Sequence, residues 1–510
     1  MFRKLVLAAA LATGLSATTS VAQEMSESGF GDLALVPYYT VQGGYITGVH
    51  LINNSDYTQV VKMRLRRATD SMDALDFNLI LSPRDMWTGW LSSTQTGDIR
   101  FNTTDNSCTA PALQGNGFTM PSIFREGAEE GYIEVIGMGQ IDLDSPIGRA
   151  SKHQANGEPL DCESVRSNFF SIQQDYPQAA GVLAVRGVQN SAVTHQTVSE
   201  SVQEAQDFTC NGGVCVNEFE DTDNVLKVAY FIRDTESGVE FGNQAVHIEN
   251  FLDEPALTNQ QFGLASGDLS GFDFPDLNGG SIDGTRGVFD SLRSPKALGA
   301  FTIVNDWSAN PNNGVSTDWV ITMPGQYSML KLSDYLADLD STDEDDDCTR
   351  ANDCDQRDLP VTVSFDIYDR EEGVFTPREQ DLVVSPSPPV DNPGFKLENE
   401  VNVIEWNASN SVLGSDVATT VDTSLLPSGA VFGFSEVGVT SSADTGVCSI
   451  VDAETGEYTC VEPKFENVPI IGFAVWKRQI PNNPAAEYGR LVEHSYVNER
   501  VRPESQELPD

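Results

Sequence analysis

Positive charge is scarce in this chain. Its 30 Lys+Arg face 76 Asp+Glu, a formal net charge of −46 over 510 residues. Such a balance repels phosphate, which argues against nucleic acid and anionic membranes as partners. Long apolar runs are lacking too. Beyond residue 22 no stretch reaches the roughly 18 apolar residues a transmembrane helix needs, so no transmembrane segment is expected in the mature chain. Catalytic signatures are also missing: there is no G-x-S-x-G, H-E-x-x-H, P-loop or G-x-G-x-x-G. The five histidines, His50, His153, His195, His247 and His494, are scattered, and no C-x-x-C or Cys/His cluster has zinc spacing. With 42 Gly and 25 Pro the chain is not collagen-like, and with 39% hydrophobic residues it reads as folded.

What is present begins with an export signal. Arg3 and Lys4 precede an apolar run, Leu5 to Leu15, too short to span a bilayer. Ser20-Val21-Ala22 supplies the small residues of a cleavage site, so residues 1–22 read as a signal peptide and the mature protein as periplasmic, surface-bound or extracellular. The eight cysteines all follow that site, which suits disulfides in an oxidising compartment. Spacing pairs Cys210 with Cys215, Cys348 with Cys354, and Cys448 with Cys460, leaving Cys108 and Cys162 to close a longer loop. On the chain-entropy view that loop contributes roughly 4 kcal/mol and the short ones roughly 2 each.

Period-2 alternation recurs along the mature chain. Val61, Met63 and Leu65 point one way and Lys62, Arg64 and Arg66 the other. Phe77, Leu79 and Leu81 repeat the pattern. Val361, Val363, Phe365 and Ile367 alternate with Thr362, Ser364, Asp366 and Tyr368. Ile133 to Ile136, Val182 to Val185, Val225 to Ile232, Val401 to Trp406 and Ile470 to Trp476 are further β-rich runs that suit a pleated, half-buried surface. Helical periodicity is confined to Leu330–Leu339 and a start at Asp253. The expected class is all-β: antiparallel sandwiches or jelly-roll-like sheets with few short helices. The Gly- and Asp-rich segment Gly267–Gly287 marks the first candidate junction, and Ser385–Pro393 is a second break. The working division is two packed domains, 23–265 and 266–510, with an acidic insertion at 338–358.

Four groups could carry chemistry. Asp343, Asp345 and Asp347 lie in the densest acidic run, beside the Cys348–Cys354 loop, and Asp276, Asn278 and Asp283 lie in a glycine-rich loop. Both sets offer the hard oxygens calcium takes, although no EF-hand spacing fits, and a solvated loop is the simpler account of each. Asp369 and Glu371 form an acid pair of the kind glycosidases use, against which stands a plain pairing of Arg370 with a nearby acid. Trp307 and Trp319, each beside an Asp, suit either stacking on a sugar or anchoring a core.

Several segments together resemble a family of exported, cell-surface-type proteins of Gram-negative bacteria to which no activity is assigned. They are Leu35–Val41, Lys62–Arg67 with Asp76-Phe77, Leu81–Thr88, Thr317–Pro324, Asp369–Glu372 and Pro469–Phe473. The likeness runs in order along most of the mature chain. It departs at Gly325-Gln326, where the pattern expects a polar or basic continuation after Pro324. The resemblance implies an exported, β-rich, surface-associated protein and carries over no catalytic residue. The sequence thus leads to a non-enzymatic exported protein with a surface-structural or adhesive role, calcium being the one candidate ligand ion. The alternative is a carbohydrate-binding or carbohydrate-active extracytoplasmic protein, with Trp319 or Trp307 as platform, Asp369 and Glu371 as acids, and a polysaccharide as partner.

Overall fold

The computed structural model describes residues 22–170, 219–255, 275–277, 291–325, 361–375, 382–383, 395–421, 429–443, 447–452, 457–461 and 468–497, with breaks of one to three residues. Its described part is mostly antiparallel β-sheet with two short helices, as the alternation predicts. The runs read at 61–66, 77–81, 133–136, 225–232, 361–368, 401–406 and 470–476 all fall in or overlap strands. The strand expected at 182–185, the helix at 330–339 and the acidic insertion lie outside the described residues, as does most of the helix expected from Asp253.

Four large sheets account for most strands. The first has seven, with Leu33–Thr40, Glu130–Ile141, Thr58–Arg67 and Asp73–Leu81 adjacent at its centre. The second has six, built around Leu226–Asp234, Tyr45–Asn53 and Met86–Ser93. All strands of these two lie between Glu24 and Glu249. The third sheet centres on Val361–Asp369, Phe432–Ala443 and Thr302–Ser308. The fourth runs Leu382–Val383, Ala418–Val421, Val401–Glu405, Val315–Thr322, Ile471–Arg478 and Tyr488–Glu493, and holds one parallel pair, Val401–Glu405 with Ala418–Val421.

Side-chain alternation decides how these sheets stack. Val61, Met63, Leu65, Phe77, Leu79 and Val135 meet Val49, Leu51, Trp87 and Val228 between sheets one and two. Trp319, Ile321, Ile404 and Trp406 of sheet four meet Phe365, Ile367, Val437 and Trp307 of sheet three. The alternate positions in the centre of sheet four are buried too. Val320, Val403, Phe473 and Val475 join the first core, so that apolar cluster extends from sheets one and two onto sheet four.

The outer face of sheet one is covered as well. The helices Pro146–Ser151 and Cys162–Phe170 close one end over Val60, Ile80 and Met138. There the Cys108–Cys162 disulfide ties a strand to a helix, as the spacing predicts. Leu277, Leu292 and Leu298 cover Leu33, Leu35 and Ile136 elsewhere on that face. Between the two patches lies a layer of buried charge. In register across three strands, Asp76, Arg64 and Glu134 form one row, with Arg64 3.7 Å from Asp76 and 3.6 Å from Glu134. Arg64 also lies 2.9 Å from Asp73, Lys62 lies 3.2 Å from Asp76, and Arg66 lies 3.1 Å from Glu134. Lys62, Arg64, Arg66, Asp76 and Glu134 are completely buried. A half-buried surface is what the alternation predicts here. Instead the polar face is interior, neutralised strand against strand.

Cys448 and Cys460 stand opposite each other in the hairpin formed by Val447–Asp452 and Glu457–Val461, the register their predicted pairing needs. Cys210, Cys215, Cys348 and Cys354 lie outside the described residues.

Candidate functional site

The outward face of sheet three carries an open groove. Phe365, Ile367, Val437 and Trp307 point into the core, so their strand neighbours Tyr368, Phe434 and Asp306 point out. The register sets Tyr368 opposite Phe434, and Phe434 opposite Asp306. The two rings stack with centroids 4.5 Å apart and planes 5° from parallel. Phe434 is 40% exposed, which is unusual for a large apolar side chain in the middle of a ladder. A Cβ at Gly433 would collide with the Tyr368 carbonyl oxygen, so glycine is what lets the two strands close up beneath the stack.

Polar groups ring the aromatics. The Arg370 guanidinium lies over Phe432, 4.7 Å from the ring centroid. On the neighbouring sheet Trp476 faces Arg490 in register, with that guanidinium 6.0 Å from the indole centroid. Arg490 reaches across to Asp306 at 2.6 Å, and both partners are about half exposed. Asp369 shapes the rim by accepting hydrogen bonds from the backbone N–H of Gly373 (2.7 Å) and Glu371 (2.9 Å). The groove encloses about 880 Å³, within the range of ligand pockets.

The residues singled out from sequence fall in different places. Trp307 and Trp319 border the groove's floor or lie beneath it and are buried. Their indole N–H groups donate to the carbonyls of Phe434 (3.1 Å) and Asp306 (3.0 Å), and Trp307 stacks on Trp406 at 4.7 Å. They are core anchors, so a sugar platform built on them is ruled out. Asp369 is buried and engaged in its turn, whereas Glu371 is exposed. The simple pairing of Arg370 with an acid is replaced, among the described residues, by its contact with Phe432. Of the six calcium candidates only Asp276 is described. It is buried, next to Pro275, whose carbonyl accepts from Arg64 at 3.1 Å. Asp343, Asp345, Asp347, Asn278 and Asp283 lie outside the described residues, among which no group of three or more Asp, Glu, His or Cys is placed to hold a metal. Tyr368, Phe432, Phe434, Trp476 and Arg490 were not singled out from sequence. One signal pointed to them: Tyr368 occupies the polar phase of its strand, where an aromatic ring has no core to enter.

Other perturbed groups act as ties inside the fold. Burial pushes Asp318 up to about 7, and Glu405 across the strand adds to this, against the backbone N–H groups of Leu413 and Val412 that its Oδ2 accepts at 2.8 and 2.9 Å. Glu130, raised by burial, accepts from Tyr38, Ser415 and the backbone N–H of Asp416. Tyr45 donates to the Val412 carbonyl at 2.6 Å. The segment 411–417 is thus held on both sides of the seam between the sheet pairs. His494 bridges Asn305 (3.0 Å) and the Val320 carbonyl (2.9 Å), and burial lowers it to about 4. His247 accepts from the Val228 N–H and is likewise lowered by burial to about 4.

No family model, no curated protein and no solved structure matches the chain.

Proposed function

We propose that this is a non-enzymatic exported protein of the cell surface, with a structural or adhesive role. The observation that carries the proposal is the solvent-open Tyr368–Phe434 stack, set on a sheet whose reverse face is tightly packed core. A rigid scaffold that displays apolar rings to solvent suits contact with a partner. Asp318, Glu130 and His494 support the same reading, because each is engaged in hydrogen bonds that tie neighbouring segments of the fold together. The signal-like first 22 residues and the resemblance to surface-type proteins supply the address, and calcium at the acidic loops would add stability there. Fractionation of the native host with protease shaving of intact cells is the test: the protein is expected in the surface fraction and shaved. Recovery only as free, protease-protected periplasmic protein refutes the surface role.

A second reading, carbohydrate binding outside the cytoplasm, is favoured by the composition of the groove. Its aromatic surface comes from Tyr368, Phe434 and Trp476, and its hydrogen-bonding groups from Asp306 and Arg490.

A further inference from the structure

We infer that the groove binds an uncharged pyranose segment of a polysaccharide, with Phe434 as the stacking platform and the Asp306–Arg490 pair as the reader of hydroxyl groups. The inference rests on the carbohydrate reading and narrows it to one class of glycan and one set of residues.

The platform follows from register. Phe434 stands between Tyr368 on one neighbouring strand and Asp306 on the other. The Tyr368 ring covers one face of Phe434 and fixes its orientation, which leaves the other face on the Asp306 side. A pyranose ring has an apolar C–H face and a polar equator of hydroxyls. An aromatic face matches the first, and a paired donor and acceptor match the second. Asp306 and Arg490 supply that pair at the edge of the platform. They lie 2.6 Å apart and are 50% and 56% exposed, so each keeps hydrogen-bonding capacity for a ligand. A purely apolar partner would leave this ion pair desolvated and unmatched beside it.

Charge selects among glycans. Arg490 is neutralised by Asp306, the groove's other cation, Arg370, is flanked by Asp369 and Glu371, and the chain carries −46 overall, so a polyanion meets net repulsion. A polycation would be drawn to the acidic surface at large and would need no groove. The uncharged polymer is the class whose recognition depends on this site.

Affinity electrophoresis of the full chain tests the inference, in gels cast with neutral polymers (a β-linked glucan, an α-linked glucan, a galactomannan) or acidic ones (alginate, polygalacturonate). At least one neutral polymer is expected to retard the protein. Phe434→Ala should weaken that retardation roughly tenfold or more, as loss of an aromatic platform does. Asp306→Ala should weaken it comparably, and Met86→Ala, at an exposed position on sheet two, should leave it unchanged. Unaltered melting temperatures establish that the variants are folded. Retardation by acidic polymers alone overturns the inference while leaving carbohydrate binding intact. Retardation by no polymer overturns both. Neutral-polymer binding that survives Phe434→Ala and Asp306→Ala places the site elsewhere and also overturns the inference.

Discussion

Arg64→Met is the sharpest probe of the buried charge layer. Arg64 has no exposure, sits within 2.9–3.7 Å of Asp73, Asp76 and Glu134, and donates to the Pro275 carbonyl. Methionine preserves most of the volume and removes the charge, leaving those carboxylates with Lys62 and Arg66 as the nearby cations. Removing one partner of a buried ion pair costs about 3–5 kcal/mol, because the remaining charge stays desolvated. The matched control is Arg84→Met. Arg84 pairs with Asp56 at 3.1 Å, but the two side chains are 56% and 83% exposed. Pairs of that kind contribute at most about 1 kcal/mol. Urea unfolding followed by tryptophan fluorescence should separate the two variants by several kcal/mol. Adding Asp73→Leu to Arg64→Met should restore part of the loss, since it removes a buried acid that the variant deprives of its contact with Arg64, and the cycle should show coupling of about 1–3 kcal/mol. Equal losses in Arg64→Met and Arg84→Met would refute the reasoning, for they would mean that the layer is not effectively desolvated.

Two further predictions concern titration and ions. Asp318 has its folded-state value raised from 3.8 to about 7, so its contribution is fully present below pH 3.8 and is lost as the pH rises towards 7, by at most about 4 kcal/mol. Asp318→Asn keeps an acceptor for Val412 and Leu413, so its stability relative to the wild type should climb between pH 4 and 8; a flat difference refutes the assignment. His494, lowered from 6.5 to about 4, has the opposite sign. Its contribution is full above pH 6.5 and is lost as the pH falls towards 4, so the acid-side loss of stability should shrink in His494→Gln. If the acidic loops carrying Asp343, Asp345, Asp347, Asp276, Asn278 and Asp283 hold calcium, chelator should lower the melting temperature at low ionic strength; identical melts remove calcium as a stabilising ligand.

The strands were legible because period-2 alternation is a local property. What alternation cannot report is whether the second face of a strand meets water or another layer. Lys62, Arg64 and Arg66 read as a polar face and are one, but Pro275, Leu277 and the acids of the neighbouring strands enclose it. Sequence distance hides that cover, since residue 275 lies more than 200 positions away from Arg64. The same limit applies to sheet four, where Val320 and Trp319 are both apolar and a hydrophobic run is all the sequence offers; the structure assigns them to different cores. The groove was only partly legible. Tyr368 in the polar phase was visible, but its partner Phe434, 66 positions on, is set by pairing of the two strands, and Arg490 reaches Asp306 from another sheet. Trp307 and Trp319 each stand beside an acid in the sequence, yet backbone direction turns Trp307 inward and Asp306 outward.

The buried layer and the groove are linked through the scarcity of positive charge. Lys62, Arg64 and Arg66 lie in the interior of sheet one, and the buried Lys477 bridges Asp234 at 2.7 Å and Glu487 at 3.1 Å. Each of these cations is matched by a buried acid, so the excess of negative charge in the composition stays largely on the outer surface. Such a surface resists non-specific collapse and self-association, at the cost of self-repulsion that salt relieves over a Debye length of about 8 Å at physiological ionic strength. It also removes anions from the ligands the protein can attract at long range. Recognition is then left to short-range forces at places where apolar rings reach the surface, which is the position of Phe434 beside the neutralised Asp306–Arg490 pair. Affinity at that site should therefore change little with salt, whereas stability of the fold should rise with it.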